Sequence, residues 1–530
     1  MCGAYHADGA NTKRFGSHFS ALSFSALGLL ALGLLALSLL ALPVAARQGS
    51  AAKHGPAKNT LVPIGALDIT AAPYHAKGDG VSDDTAAINQ ALADAAAAAP
   101  RKSVYAPAGA FAHSGVLRAH GVVFSGAGAG TVFQALDPAE GAVELTGVGS
   151  ALRDCTLVSP AVRDRLSNSH SAAVSVNGAT HFTVAHVNIG SGSVAGAASA
   201  GILCADWPSA FGTITGNRVS NTLADGIHLT AGAKDLVVSG NTLTNVGDDM
   251  IAVVSYLKDG AVVSRVAIRA NHCVSQTNGR GISVVGGESV TISANTVDSS
   301  SAAGIYLASE ASYNTYAPRD VRVTNNVIHS ANQRHSVTHG GIYVFGRMDT
   351  VNGTSVPYPA ENITISGNVL TDTYYMGIRI GGRANAIRII GNNIRGTTAE
   401  GIAVSDTGDT SAGAGARDVV VSGNTITDAA GGGIKVFASA QGALTITDNS
   451  LSNIGAPNNL GVDVISIDPG ALGVHPLRMA GNRYNNPAGY PVRSFIRCGI
   501  SAAAAGTSAA AIQGGNVTAT VPSEPMVVAP

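Results

Sequence analysis

The segment Val237-Val238-Ser239-Gly240-Asn241 shows the phrase on which the fold of this chain depends: a β-rich stretch, one or two small or polar residues, and an Asn. The phrase recurs ten times. The copies end at Asn217, Asn241, Asn271, Asn295, Asn326, Asn368, Asn392, Asn424, Asn449 and Asn482. Successive Asn residues are 24, 30, 24, 31, 42, 24, 32, 25 and 33 positions apart. The shortest spacing between these Asn residues is 24 positions, and the other spacings are longer. This pattern predicts coils of one circumference, some of which carry surface insertions.

A second phrase, a Gly-Ile pair that opens a short strand, alternates with the first. Examples are Gly201-Ile202, Gly226-Ile227 and Gly281-Ile282, with Met250-Ile251 at the equivalent place. Each coil therefore holds at least two β segments, and no helical period separates them. Stacked about 4.8 Å apart, such coils pair each strand with its equivalents above and below. The sequence predicts an all-β, single-stranded, right-handed parallel β-helix.

The recurring Asn has a physical role in such a coil. An Asn at a turn tolerates the left-handed backbone conformation. In register, its side-chain amide can also bond to the next Asn along the axis. We interpret the ten Asn residues as structural.

Composition excludes several classes of protein. The net charge of the 530 residues is −1, so no basic field exists to bind nucleic acid. The five Cys residues lie far apart without a CxxC pair, which is unlike a zinc site or a disulfide framework, and at most one or two bridges are expected.

The ends of the chain differ from its body. Residues 1–46 have a short basic region, an apolar run and Val44-Ala45-Ala46, the features of an export signal. Retention as a membrane anchor is the alternative, because the apolar run is long enough to span a bilayer. Residues 47–60 are expected to be a linker, 61–498 the β-helix and 499–530 a disordered tail. We expect a secreted or periplasmic monomer without stable membrane insertion once the signal is cleaved.

An Ala-rich segment, Ala86–Ala99, follows Asp83-Asp84 and predicts a helix. Laid across the first coil, the helix would shield the edge strands from other molecules.

One vertical column carries candidate chemistry. The residues directly before the Gly-Ile pairs include Asp225, Asp249 and Arg280 on three consecutive rungs, with Asp248 beside Asp249. Crowded carboxylates repel one another, which raises at least one pKa and separates an acid from a base. Glycoside hydrolysis needs that division. The alternative is turn chemistry, because Asp before Gly is common at corners.

Two motifs carry a family resemblance. Residues 78–88, Gly-Asp-Gly-Val-Ser-Asp-Asp-Thr-Ala-Ala-Ile, are similar to the opening of pectate-lyase-like β-helix proteins. Residues 221–227 and 247–252 resemble the Asn-Thr-Asp and Gly-Asp-Asp motifs of polygalacturonase-type glycoside hydrolases. The resemblance implies that Asp248 is the general acid, and that Asp225 and Asp249 activate the attacking water with inversion. The export signal and repeat body also resemble uncharacterised twin-arginine-translocated β-helix repeat proteins.

The chain departs from the polygalacturonase pattern at three places. Leu223 and Ala224 interrupt Asn-Thr-Asp, Arg280 stands where the family has the His of Gly-His-Gly, and Tyr306 lies in the coil where an Arg-Lys pair is expected. We predict that Arg280, Tyr306 and His228 bind substrate. Insertions at 309–320, 347–361 and 405–417 and the Tyr-rich stretch 306–375 are expected to add contacts to a glycan.

Two classes of function follow from these residues. The first is a carbohydrate-active enzyme, a glycoside hydrolase acting on an acidic polysaccharide, with lyase or epimerase chemistry as the nearest variant. No cofactor or metal is expected for hydrolysis, whereas β-elimination would use Ca²⁺ held by Asp225, Asp248 and Asp249. The second is a glycan-binding or envelope β-helix protein without catalysis.

Overall fold

The computed structural model describes residues 62–190, 192–276, 278–335, 337–351, 354–406, 414–456 and 461–501, together with 506, 516–518 and 526–529. The predicted export signal and linker, residues 1–60, lie outside these ranges. No helix within the described ranges combines the length and the apolar character that a membrane span requires.

The chain winds into a right-handed parallel β-helix, as predicted, but each coil has three β segments where the sequence indicated at least two. Sheet 1 contains the strands that follow the Gly-Ile positions. Its strands are Leu117–His120, Val143–Thr146, Val174–Val176, Ile202–Cys204, Ile227–Leu229, Ile251–Val254, Ile282–Val285, Ile305–Ala308, Ile342–Val351, Ile378–Gly382, Ile402–Val404, Ile434–Val436, Val462–Ile467, Val492–Ser501 and Met526–Ala529, with Thr354–Tyr358 antiparallel to Ile342–Val351.

Sheet 2 precedes the Asn of each coil, and sheet 3 follows it. Sheet 2 contains Leu67–Asp68, Val104–Ala106, Val123–Gly126, Ala151–Val158, Thr183–Ile189, Ala210–Thr215, Lys234–Ser239, Val263–Arg269, Gly287–Ser293, Arg319–Thr324, Ala360–Ser366, Ala384–Ile390, Arg417–Ser422, Gln441–Thr447 and Gly473–Ala480. Sheet 3 contains Asp79–Asp83, Gly109–His113, Thr131–Ala135, Arg218–Ser220, Thr242–Val246, His272–Gln276, Thr296–Asp298, Val327–His329, Val369–Thr371, Asn393–Thr397, Thr425–Ala429, Ser450–Ser452, Arg483–Asn485 and Val517–Thr518. Ala151–Val158 and Thr183–Ile189 extend into sheet 3 without a break.

The core is a column of aliphatic side chains between the three sheets. Strand alternation sends one residue in two inward, so that Ile214, Val238 and Ile268 occupy equivalent, fully buried positions on successive rungs. Each such side chain contributes about 1.5–3 kcal/mol by leaving water. Cys155, Cys204, Cys273 and Cys498 are buried free thiols.

The predicted Asn ladder is confirmed at the corner between sheets 2 and 3. The side-chain amide of Asn241 donates to Ile214 O at 3.0 Å and to Asn271 Oδ1 at 2.9 Å. The backbone N–H of Asn241 also donates to Asn271 Oδ1, at 3.0 Å. The pattern continues on every coil to Asn482, whose amide donates to Asn516. The ladder therefore satisfies polar groups inside a dry interior.

The left-handed residue at this corner is the one before the Asn, whereas the sequence indicated only that an Asn tolerates that conformation. Gly216 and Gly240 have φ of +65° and +64°, and Ala270 and Ala294 take the same conformation on the following coils. The Asn must keep its amide aligned along the axis, so the preceding residue makes the turn.

The predicted N-terminal helix is present and spans Thr85–Ala97. Ile88 and Leu92 are buried against the first coils. Asn89 donates to Val116 O at 2.9 Å and accepts from Arg118 N–H at 2.9 Å, so the helix satisfies the edge of the first strand of sheet 1. This is the shielding that the sequence predicted.

The segment after residue 498 differs from the expected disordered tail. Val517–Thr518 pairs with Arg483–Asn485 in sheet 3, and Met526–Ala529 pairs with Val492–Ser501 in sheet 1. Asn516 accepts the last bonds of the ladder. The Gly-Asn-Val at 515–517 repeats the coil phrase inside a low-complexity stretch that hides it.

Candidate functional site

The predicted column of Asp225, Asp249 and Arg280 exists at the corner where sheet 3 leads into sheet 1. Asp249 N–H donates to Asp225 Oδ1 at 3.0 Å, and Arg280 N–H donates to Asp249 Oδ1 at 2.6 Å. Asp248 lies beside them, and one carboxylate oxygen from each of the three Asp residues falls within 4.8 Å of the others. Each carboxylate of the column thus satisfies the backbone of the next rung, while the three acids form one cluster.

Asp225 is held as a carboxylate by a histidine. His228 Nδ1 donates to Asp225 Oδ2 at 2.6 Å, and both residues are buried. Burial alone would raise the pKa of Asp225, but the charge and hydrogen bond of His228, with the charges of Arg165 and Arg280, lower it below its ordinary value. His228 Nε2 is buried and has no hydrogen-bond partner within the described residues. His228 therefore positions and ionises Asp225.

The surroundings of Asp249 raise its pKa, whereas those of Asp225 lower the pKa of that carboxyl group. Asp249 Oδ2 accepts from Ser283 Oγ at 2.6 Å, and the Arg280 Nε lies 3.5 Å from Asp249 Oδ1. Burial raises the pKa of Asp249 to about 7, since the lowering effect of Arg280 is offset by the charges of Asp248 and Asp225. Below a pH of about 7, Asp249 is therefore mainly neutral, whereas Asp225 is ionised at lower pH than an ordinary Asp.

Asp248 is the accessible member of the cluster, with 30% of its side chain exposed. Its Oδ2 accepts from Arg165 Nη1 at 2.9 Å, and Arg165 Nη2 also approaches Asp225 Oδ2, at 3.9 Å. Burial and the charge of Asp225 raise the pKa of Asp248, although Arg165 and Arg280 oppose the rise. Asp248 therefore ionises less readily than an ordinary Asp, and it lies at the surface of the site.

Arg280 lies in a stack of charged and aromatic groups. Its Nη2 donates to Glu310 Oε1 at 2.7 Å, and its guanidinium lies 4.4 Å from the ring centre of Tyr306. Tyr306 in turn stacks on His339 at 5.1 Å. Burial, with the charges of Arg280 and Arg379, lowers the pKa of His339 to about 3. The Arg280 side chain is only 17% exposed, so these contacts fix it against Asp249.

The three residues predicted to bind substrate lie at the site but are largely buried. Tyr306 is 6% exposed and His228 is 9% exposed. Tyr306 packs with Tyr343 and Ala252 in a small apolar cluster on the outer face of sheet 1.

The predicted insertions lie at corners. The 347–361 insertion forms the antiparallel pair of Ile342–Val351 with Thr354–Tyr358, in which the Arg347 guanidinium lies 4.2 Å from the ring centre of Tyr358. The 309–320 insertion carries Glu310, and residues 407–413 of the third insertion lie outside the described ranges. Of the clustered tyrosines, Tyr313 is 60% exposed.

Sequence reasoning missed Arg165, Ser283 and Glu310. Ser283 could have been found, because it occupies the outward position of its strand that His228 occupies two rungs below. Glu310 lies in a predicted insertion, but nothing in the sequence pairs it with Arg280. Arg165 reaches Asp248 from a non-repeating segment 83 residues away, which no periodicity predicts.

The arrangement separates an ionised acid from two acids of raised pKa, which is the requirement for paired acid and base roles. The three carboxylates could also bind a divalent cation, since oxygen ligands suit Ca²⁺. The neighbouring Arg165 and Arg280 already offset part of their charge.

The fold and the site together define a class: a right-handed parallel β-helix with a carboxylate cluster at one corner of sheet 1. The sequence matches a family model described as rhamnogalacturonase A/epimerase, pectate lyase-like, over residues 69–306, and a right-handed β-helix model over 210–410 and 318–468. Over these residues the chain is similar to pectate-lyase-like and right-handed β-helix proteins, in agreement with its observed fold. No curated protein matches the sequence.

Several solved structures share the fold. The catalytic unit of a thermostable GH87 α-1,3-glucanase from Streptomyces thermodiastaticus strain HF3-3 is 19% identical, with a TM-score of 0.55, 73% of this chain and 69% of that chain covered. Two GH87 α-1,3-glucanase catalytic domains, each with alanine in place of an aspartate and in complex with tetrasaccharides, are 18% identical, with TM-scores of 0.50 and 0.51. In these two comparisons 69% of this chain and 63% of that chain are covered. The A-module of the Azotobacter vinelandii mannuronan C-5 epimerase AlgE4 is 18% identical over 73% of this chain and 96% of that chain, with a TM-score of 0.45.

Proposed function

We propose that this chain is an exported glycoside hydrolase that acts on a polysaccharide. The observation that carries the proposal is the cluster of Asp225, Asp248 and Asp249, whose oxygens lie within 4.8 Å of one another while their environments move their pKa values in opposite directions. Such a separation is what acid and base roles require at one pH.

The roles follow from accessibility and charge. Asp248 is partly exposed and its pKa is raised, so we assign it as the acid that protonates the glycosidic oxygen as the bond to the leaving group breaks. Asp225 is kept ionised by His228 but is buried, so the attacking water reaches it when the side chain of Arg165 moves aside; Asp225 then accepts a proton from that water, whose oxygen forms the new bond to the anomeric carbon. Asp249 helps to hold that water. Attack from the face opposite the leaving group inverts the anomeric centre, as the resemblance to polygalacturonase-type hydrolases implies, although these carboxylate oxygens lie closer together than the about 6.5–9.5 Å that is typical of inverting glycosidases.

Arg165 has a place in this scheme. Its guanidinium covers the outer oxygen of Asp248 at 2.9 Å. Entry of a sugar oxygen requires that contact to open, and after the proton is transferred Arg165 stabilises the resulting Asp248 carboxylate.

The comparisons support a carbohydrate substrate. The rhamnogalacturonase and epimerase family model ends at residue 306 and so includes the whole aspartate cluster. The two tetrasaccharide complexes of α-1,3-glucanase carry their alanine at one or the other of two consecutive aspartates, and Asp248 and Asp249 are consecutive as well.

The experiment compares Asp248→Asn with the matched control Asp235→Asn, which lies on a neighbouring coil and pairs with Arg265. Release of reducing ends is measured on a panel of neutral and acidic polysaccharides. We expect Asp248→Asn to lose about 10²-fold or more of the turnover and the control to retain it. Equal turnover by Asp248→Asn and the parent chain would remove Asp248 as the acid.

Polysaccharide lyase activity is a second candidate, because the same three carboxylates could hold Ca²⁺. A lyase leaves an unsaturated sugar that absorbs in the ultraviolet and loses its activity with a chelator. Saturated products, formed equally with and without chelator, exclude it. Glycan binding that persists in Asp248→Asn, without turnover by the parent chain on any substrate, would instead favour a non-catalytic β-helix protein.

Export is part of the proposal and is tested separately. We expect the chain to reach the periplasm or the medium with residues 1–46 removed. N-terminal sequencing of the exported protein measures the cleavage point, and an intact Met1 on a membrane-bound chain would favour the retained anchor.

A further inference from the structure

Three exposed aromatic side chains lie on two neighbouring coils at the corner between sheets 1 and 2, and two of them stack on each other. Trp207, the one tryptophan of the sequence, is 69% exposed, and Phe211 is 53% exposed. The exposed ring of His181, one coil below, stacks on Phe211 with 5.0 Å between ring centres and 20° between planes. Gly178 N–H donates to Trp207 O, which ties the Trp207 loop to the coil of His181. We call this group the aromatic corner.

The backbone conformation of Phe211 is unfavourable for a bulky residue. Its φ is +54°, in the left-handed region, where a bulky side chain is strained. The equivalent position on the next coils is left-handed as well, but there the residues are mostly small or polar. They are Asp235, Arg265, Ser289, Asp320, Asn362, Ala386 and Asp418. A strained and solvent-exposed Phe therefore lies where most other coils have a side chain that tolerates the turn.

The aromatic corner lies beside the candidate site. Trp207 follows the strand Ile202–Cys204, which pairs directly with Ile227–Leu229, the strand that Asp225 precedes. The two features thus lie at opposite ends of neighbouring three-residue strands, each about 10 Å long. Asp248 precedes Ile251–Val254, two rungs from Ile202–Cys204, so a polymer that runs obliquely across sheet 1 from Asp248 would reach Trp207.

We propose that the aromatic corner binds glycosyl rings of the polysaccharide outside the catalytic cluster, by stacking on Trp207 and Phe211. The choice of a glycan as occupant rests on the proposed function and on the continuity of the corner with the site. The corner also has the chemistry that suits a sugar: flat aromatic faces stack on the apolar faces of the rings. The exposed carboxylate of Asp206 beside Trp207 can accept hydrogen bonds from hydroxyl groups.

The test uses the intrinsic fluorescence of Trp207, which is the sole tryptophan signal of the chain. The Asp248→Asn chain, which does not consume its ligand, is titrated with oligosaccharides of increasing length from a polysaccharide that the parent chain cleaves. We expect a saturable change of emission that appears only above a minimum length. Phe211→Ser in the same background, with the residue type found at Ser289, should bind about three- to tenfold more weakly.

Two controls separate the interpretations. Phe211→Ser with Asp248 intact should cleave short soluble oligosaccharides at the parent rate but degrade long polymer more slowly, and its melting temperature should not fall. Calorimetric titration of Trp207→Ala should show the same weaker binding. If the emission of Trp207 does not change with any ligand that the parent chain cleaves, the inference is overturned while the proposed function stands. Emission that changes instead with protein concentration overturns it in favour of self-association through the corner.

Discussion

The contribution of the Asn ladder to stability can be tested with a matched pair of substitutions, because the ladder residue Asn392 is followed by an exposed Asn that serves as its control. Asn392 Oδ1 accepts from Asn368 N–H at 3.0 Å and from Asn368 Nδ2 at 2.9 Å. Asn392 Nδ2 donates to Ile365 O at 3.0 Å and to Asn424 Oδ1 at 2.9 Å. Asn393, the next residue, is exposed on the outer face of its strand. Asn392 is buried in the ladder, whereas the amide of Asn393 points to solvent.

Asn392→Ala leaves two buried groups of Asn368 without this partner, the backbone N–H and one amide hydrogen, and removes one donor from the carbonyl of Ile365. At about 1–3 kcal/mol for each unsatisfied group, the free energy of unfolding should fall by at least about 2 kcal/mol. Asn393→Ala should change it by less than about 0.5 kcal/mol.

Urea denaturation followed by circular dichroism measures both variants against the parent. Because coils contact mainly their neighbours, hydrogen exchange on the coils beside residue 392 shows whether the loss is local. Equal stability of Asn392→Ala and Asn393→Ala would refute the interpretation that the ladder stabilises the stack.

Three further predictions concern titrating groups. His228→Gln should raise the pKa of Asp225, because His228 is the main group that lowers it. The acidic limb of the pH profile of kcat/KM should therefore move to higher pH. An acidic limb that does not move would contradict the positioning role of His228. The pKa of Asp249 is raised from 3.8 to about 7 in the folded chain, so its ionisation costs stability as pH rises from about 4 to 7, and Asp249→Asn should flatten that decline in thermal melts at several pH values. Burial raises the pKa of all four described cysteines, so a thiol reagent should modify them only after unfolding, and rapid modification of the native chain would show that they are not buried.

The features that repeat were predictable from the sequence. The spacing of the Asn residues predicted coils and their ladder, and the positions before Gly-Ile predicted that Asp225, Asp249 and Arg280 stack on three rungs. In a parallel stack, residues at equivalent positions of successive coils lie directly above one another. The period of the sequence alone therefore shows which residues, distant along the chain, are neighbours in the structure.

The features that do not repeat were not predictable. Arg165 and Glu310 come from segments outside the coil pattern, and their side chains reach the site through contacts that no spacing encodes. The prediction that Arg280 binds substrate did not foresee that Glu310 and Asp249 would pair with it. Low-complexity composition after residue 498 concealed the strands of the last coil, because three or four β-forming residues are enough to add a rung to an existing edge.

The longest coil shows how this architecture accommodates an insertion. Between Asn326 and Asn368 the chain takes 42 residues where the shortest coils take 24, yet Val323 still pairs with Ile365 and Ile328 with Leu370. The additional chain leaves the coil at a corner as a hairpin and returns without altering the register of the rungs. Whole loops can therefore be lengthened, exchanged or grafted at this corner while the rungs that carry the aspartates keep their register.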